Sequence, residues 1–343
     1  MTPPQNCDRQ FHLDPEDVNG LTAYLRRRAF VDTDGGLTVE KAGDGNMNCV
    51  LRVRLPQRSL VLKQARPWVE KYPSIAAPVE RAASEARFYQ FAAQNPDLAA
   101  MMPRLLDFDP DAALLILEDL APACTLADCY DGRTRLDRRD LTELARYTAA
   151  LHGMAVSPEE RPQFRNQAMR HLNHEHIFDV PLRTDGALSE MLDRITPGLD
   201  EAGQTLRLDK TFCKTVKALG HRYLEGEGKS LIHGDLFPGS LLRTGDGALR
   251  VIDPEFCFCG DPEFDIGVFF AHLLLSSHDD EIAFYWLTAA FEGTAHSQSL
   301  ALQYAGVEIM RRILGVAQLP VTLSLDKKRN LLERSREFVW AGS

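Results

Sequence analysis

The chain has 343 residues, 44% of them hydrophobic, and a formal net charge of −10. That length and apolar content suit two domains or lobes with a substantial core, and an acidic chain without a basic stripe is a poor match for nucleic acid or an anionic membrane. Seven scattered cysteines argue against a disulfide framework, no apolar run approaches membrane-spanning length, and residues 1–10 lack the basic lead and apolar core of a signal peptide, so a cytoplasmic location is expected.

Asp14-Pro15-Glu16-Asp17 reads as a helix start, with Asp14 as the cap and Val18, Leu21, Tyr24 and Leu25 as the apolar stripe. Arg26-Arg27-Arg28 reads as its solvated end. Leu37–Lys41 alternates as a strand and Cys49–Val53 as a second. Between them, Gly43-Asp44-Gly45-Asn46-Met47-Asn48 is a turn whose small residues let backbone N–H groups approach a phosphate. Leu60–Gln64 is a third strand that places Lys63 at the end of an apolar run. A buried lysine needs an anionic partner. Glu85 is the expected one, because its helix face (Val79–Phe91) also carries Phe88, whereas Glu80 is the competing choice. Ala113–Leu117 is a buried strand that breaks into Glu118-Asp119-Leu120-Ala121-Pro122, which predicts a boundary near residue 120.

Beyond Thr125 the period is helical. Helices are expected over Arg138–Met154, Asn166–Phe178, Leu188–Ile195, Lys210–Leu224, Phe264–Leu275, Ile282–Phe291, Ala301–Gln318 and Asp326–Trp340. His171, His174 and His176 lack a metal-site spacing and read as polar or capping residues. Cys257 and Cys259 lack a second zinc pair and read as buried thiols. Residues 1–120 are expected to form a small β-rich lobe and 121–343 a larger helical one, an α+β architecture.

The most informative stretch is Leu231–Phe270. His233-Gly234-Asp235 precedes Ser240, and Asp253-Pro254-Glu255 follows a hairpin made by Ser240–Arg243 and Leu249–Ile252. A hairpin sets its two ends side by side, so Asp235 should meet Asp253 and Glu255. Three adjacent carboxylates need a compensating cation, and Mg²⁺ is a hard ion that takes oxygen ligands.

These motifs resemble the two-lobed protein-kinase-like fold, whose catalytic loop H-R-D-x-x-x-x-N precedes a metal-binding Asp. Gly234 and Ser240 stand where that template has Arg and Asn. His-Gly-Asp is the form of the aminoglycoside phosphotransferase and choline kinase branch. Within it HGDLFPGS, DPEF, FDIG, GDGN and Met310-Arg311-Arg312-Ile313 look most like the methylthioribose kinases. The resemblance implies ATP between the lobes, with its phosphates under Gly43, Asp44, Gly45 and Asn46 and oriented by Lys63 and Glu85. It implies adenine at the hinge beside Glu118, Mg²⁺ on Asp253, Glu255 and Ser240, and Asp235 as the base for an acceptor hydroxyl. It also implies that Asp265 fixes the catalytic loop and that Arg311 and Arg312 reach a small polar acceptor. On a regular helix, however, Arg312 is expected at the edge of the apolar face and Arg311 nearly opposite.

The expected activity is phosphorylation of a sugar hydroxyl, most specifically that of 5-methylthioribose. A sibling enzyme acting on another sugar, an aminoglycoside or an amino alcohol is the alternative. A non-catalytic nucleotide-binding protein would have lost Lys63, Asp235 or Asp253, and all are present. A homodimer is compatible with the sequence, which carries no feature that requires one.

Overall fold

The computed structural model describes residues 11–31, 36–43, 47–228, 230–276 and 278–341. They group into two compact units. One runs to Ala121 without residues 95–101, and the other takes 95–101 and continues from Pro122. The first is built on a sheet and the second mainly on helices, an α+β architecture.

The sheet of the first unit has five antiparallel strands, in the order Thr38–Lys41, Cys49–Arg54, Ser59–Gln64, Leu114–Glu118, Leu105–Asp109. Alternation assigns its two faces. Leu51, Val53, Leu60, Leu62, Leu114 and Ile116 share a core with Leu21, Tyr24 and Leu25 of the helix Val18–Arg27. Gln64 lies on that same side. Its amide donates to the Phe11 and Ala112 carbonyls and accepts from the Leu13 N–H, tying the entering chain to the sheet. Lys63 therefore projects from the opposite face, towards the helix Arg81–Ala92.

Two sequence expectations change here. The cap of the first helix is Asp17, which accepts from Gly20 N at 2.8 Å. Asp14 instead accepts from Glu16 N, so the proline turn before the helix consumes the earlier aspartate. Arg26 and Arg27 are exposed, but Arg28 is half-buried and donates to Asp107 Oδ2 at 2.6 Å and to the Phe108 carbonyl. Asp107 belongs to Leu105–Asp109, a strand not expected from LLDFD because two aspartates in five residues disfavour β-structure.

The second unit is organised around the helix Pro262–Leu275, whose residues from Glu263 to Leu275 are all buried. The helix Gln298–Leu314 lies against it, and Leu325–Trp340 packs on that helix in turn. The approach is close because Gly267 has no side chain: a Cβ there would stand 2.2 Å from the Ala301 carbonyl oxygen. Leu241–Thr244 and Leu249–Val251 form the expected hairpin, extended to three strands by Ala123–Thr125. Phe258–Gly260 pairs with Ser230–Ile232. The helix expected to run to Phe178 instead leaves α-geometry after His174 and makes one π-helical turn, Glu175–Asp179. No described helix is long and apolar enough to cross a membrane.

Candidate active site

In the first unit, Lys63 Nζ lies 2.6 Å from Glu85 Oε2, with the two side chains only 7% and 2% exposed. Glu80, the competing partner, is exposed. Removing one member of such a pair strands a buried charge, at about 3–5 kcal/mol. The loop after the first strand is braced by a residue that the sequence did not single out. Arg81, 1% exposed, donates to Asn48 Oδ1 at 2.9 Å and to the backbone carbonyls of Met47, Arg66 and Pro78. It anchors the outgoing end of that loop to the helix that carries Glu85. Gly43 has φ +79° at the ingoing end. Asp44, Gly45 and Asn46 lie outside the described residues. Glu118 closes its strand with its N–H on the Arg104 carbonyl and its carboxylate facing the Arg104 guanidinium.

In the second unit, the His233-Gly234-Asp235 motif is held from beneath by Asp265. Its two oxygens accept the backbone N–H groups of His233 at 2.8 Å and Gly234 at 2.9 Å, and His152 Nε2 bonds to it at 3.0 Å. Burial alone would push the Asp265 carboxyl up. The His152 hydrogen bond, with further electrostatic and N–H support from His152 and His233, outweighs that and holds it below the usual carboxylate range. His233 then turns its ring to the Ile252 carbonyl, Nε2 to oxygen 3.0 Å. The Ser240 carbonyl accepts from Ile252 N at 2.9 Å. These bonds tie the Asp235 loop to Ile252, the residue preceding Asp253.

The template arginine is absent for a steric reason. Gly234 has φ +81°, and a Cβ there would stand 2.2 Å from the Phe256 carbonyl oxygen. We expect Gly234→Ala to cost about 2–4 kcal/mol, from the left-handed backbone and the clash together. A urea melt with a midpoint near wild type would contradict this.

Asp253 is itself left-handed at φ +69°, an uncommon conformation for a residue with a side chain. Glu255 is 2% exposed, and its carbonyl accepts from Asn166 Nδ2 at 2.8 Å, as does that of Cys257 at 3.0 Å. Ser240 Oγ donates to the Asp235 carbonyl at 2.7 Å, which leaves its lone pairs as the only ligating capacity. Among the described residues no group of three or more His, Cys, Asp or Glu stands ready to hold a metal by itself. Two carboxylates and a hydroxyl still suit Mg²⁺, which usually keeps several waters and takes one or two protein carboxylates plus substrate phosphates.

The arginine pair departs from expectation. The helix Gln298–Leu314 carries both Arg311 and Arg312 inward, and both bind one carboxylate, that of Glu308. Arg312 Nε is 2.6 Å from Glu308 Oε1 and Arg311 Nη1 is 3.1 Å from Oε2. The reason is local: i+3 and i+4 flank residue i, so long side chains converge although their Cβ atoms diverge. Arg311 also donates to Asn173 Oδ1, and Arg312 Nη2 lies 3.8 Å from Asp235 Oδ1. Burial raises the Asp235 carboxyl above its ordinary value, with Arg312 and Arg311 opposing the rise. A carboxylate raised in this way is a better proton acceptor. Glu308, His272, Tyr130, His152 and Asn166 do not stand out in the sequence. Only Glu308 carries a local signal, its spacing from the arginine pair.

The first unit holds a buried strand-lysine and helix-glutamate pair, and the second holds linked acidic loops. Residues 38–297 match the family described as "Phosphotransferase enzyme family", and the chain belongs to it. It is a small-molecule kinase with an alcohol acceptor and uses a nucleotide. The chain is 26% identical to "Methylthioribose kinase" of Exiguobacterium sibiricum over 352 aligned residues, covering 90% of this chain and 87% of that one. Its fold is similar to that of an ethanolamine kinase of Plasmodium vivax (TM-score 0.54, 13% identity, 96% and 89% of the two chains). It is also similar to the AMP-bound spectinomycin phosphotransferase (TM-score 0.53, 13% identity, 94% and 93%).

Proposed function

We propose that the protein transfers the γ-phosphoryl group of ATP to the anomeric hydroxyl of 5-methylthioribose, a step of methionine salvage. The observation that carries the acceptor assignment is the Arg311–Arg312 pair, buried beside Asp235, in a chain whose named relatives match over most of both lengths. Lys63, held by Glu85, orients the nucleotide phosphates. Asp253, Glu255 and Ser240 would hold magnesium, which when bound neutralises charge on the β- and γ-phosphates. Asp235 accepts the proton of the attacking hydroxyl. The arginine pair adds positive charge where the transferred group gathers negative charge. Phosphoryl transfer is mostly positioning and electrostatics, so this set of groups is sufficient.

An ADP-release assay with Mg·ATP over a panel of sugars, aminoglycosides, choline and ethanolamine tests the proposal. We expect the highest kcat/KM with 5-methylthioribose. Turnover confined to an aminoglycoside or amino alcohol would replace the acceptor. No turnover with any compound, together with no ATP binding by calorimetry, would remove catalysis itself.

A further inference from the structure

Behind Asp235 lies a buried polar chain that the transfer reaction does not by itself require. Glu308 is 1% exposed and its carboxyl is held well below the usual range: burial opposes this, but the charges of Arg311 and Arg312 and the His272 contact more than offset it. An ionised Glu308 only accepts hydrogen bonds. His272 Nε2, at 3.0 Å, must therefore carry the proton and donate to it. His272 Nδ1 is then the acceptor for the Tyr130 hydroxyl at 2.5 Å. Burial, with the nearby arginines, lowers His272 to about 4, so the ring is neutral near pH 7. Donor and acceptor roles along the chain are thus fixed from Tyr130 to Glu308, and Glu308 is held at a set point.

The consequence lies at Arg312. Its shortest contact is to Glu308, at 2.6 Å, while Asp235 is 3.8 Å away, beyond hydrogen-bond length. Its Nη1 is spent on the Ala317 carbonyl, and its guanidinium lies over the Phe237 ring at 5.3 Å. Glu308 and Asp235 compete for one cation, and Glu308 holds it.

We propose that Glu308 is a positioning residue: by retaining Arg312 it keeps the Asp235 carboxylate open to the acceptor hydroxyl. This rests on Asp235 being the base. Without the Glu308 charge, Arg312 closes onto Asp235 and the base is occupied by an ion pair.

The test compares Glu308→Gln, Asp235→Asn and the double variant, with kcat expressed per ATP-binding site counted by calorimetry. Expression per binding site removes any loss that reflects only a smaller folded fraction. Glu308→Gln is expected to lower kcat tenfold or more while ATP affinity stays within twofold. The double variant should be no slower than Asp235→Asn alone, because the effect runs through Asp235. Wild-type kcat for Glu308→Gln, or losses that multiply in the double variant, would overturn the proposal and leave the role of Asp235 standing. Wild-type kcat for Asp235→Asn would overturn that role and the proposal with it. If Glu308→Gln does not fold, Tyr130→Phe releases His272 from the far end. A threefold or larger fall in kcat at unchanged ATP affinity is then expected, and an unchanged kcat refutes the mechanism.

Discussion

Asp235→Asn is expected to lower kcat by about two to four decades, the range a general base supplies, with nucleotide affinity near wild type. Asparagine keeps the size and the backbone contacts of the loop, including the Ser240 bond to the residue 235 carbonyl. It removes only the proton acceptor and the negative charge facing Arg312. A loss in kcat with unchanged ATP binding isolates the chemical step. Near-normal turnover would show that the hydroxyl proton leaves by another route.

The largest effect on stability is expected at Asp265. Asp265→Ala strands the N–H groups of His233 and Gly234 and the His152 Nε2, all in a buried site. Unsatisfied buried polar groups cost about 1–3 kcal/mol each, so the variant should lose about 3–9 kcal/mol, out of a total of about 5–15 for a typical protein. Thermal or urea unfolding measures this directly, and a change below about 1 kcal/mol would mean that water replaces the carboxylate. The acid limb of the wild type should include contributions from His272 and Asp265. His272 is depressed to about 4, so the unfolded chain takes up a proton first as pH falls below about 6.5, and stability drops between there and about 4. The Asp265 carboxyl is also depressed. Its contribution is whole above its unfolded value of about 3.9 and is lost only as pH falls further, through the folded value.

What the sequence revealed was whatever left a periodic or local trace. Lys63 stood out because a cation at the end of an apolar strand demands an anion, and Glu85 because Phe88 turned its helix face inward. The carboxylate motifs stood out because a hairpin brings its ends together. Asp265 was legible only through the resemblance of Asp265-Ile266-Gly267 to the kinase family's motif. Tyr130, His152, Asn166 and His272 were not, since each acts through a partner about 90 to 140 positions away and nothing in its own neighbourhood marks it. Arg81 was hidden for a different reason: its acceptors at residues 47, 48, 66 and 78 are mostly backbone carbonyls, which no side-chain pattern marks. The arginine pair was misjudged by treating side chains as short vectors on a wheel. Long guanidinium stems swing across a helix face, and a shared carboxylate one turn earlier collects both.

The same long spans bear on how the molecule acquires its competence. His152 meets Asp265 across 113 residues, Arg311 meets Asn173 across 138, and Tyr130 meets His272 across 142. Closures of that length lose chain entropy before they return any contact energy. Helices of the second unit can form from local interactions well before these junctions close. During synthesis from the N-terminus, a nascent chain carries a finished Lys63–Glu85 pair long before Glu308 and Arg312 have left the ribosome. If Asp235 and Arg312 act as proposed, enzymatic capacity is expected late in folding, once these long-range closures are made.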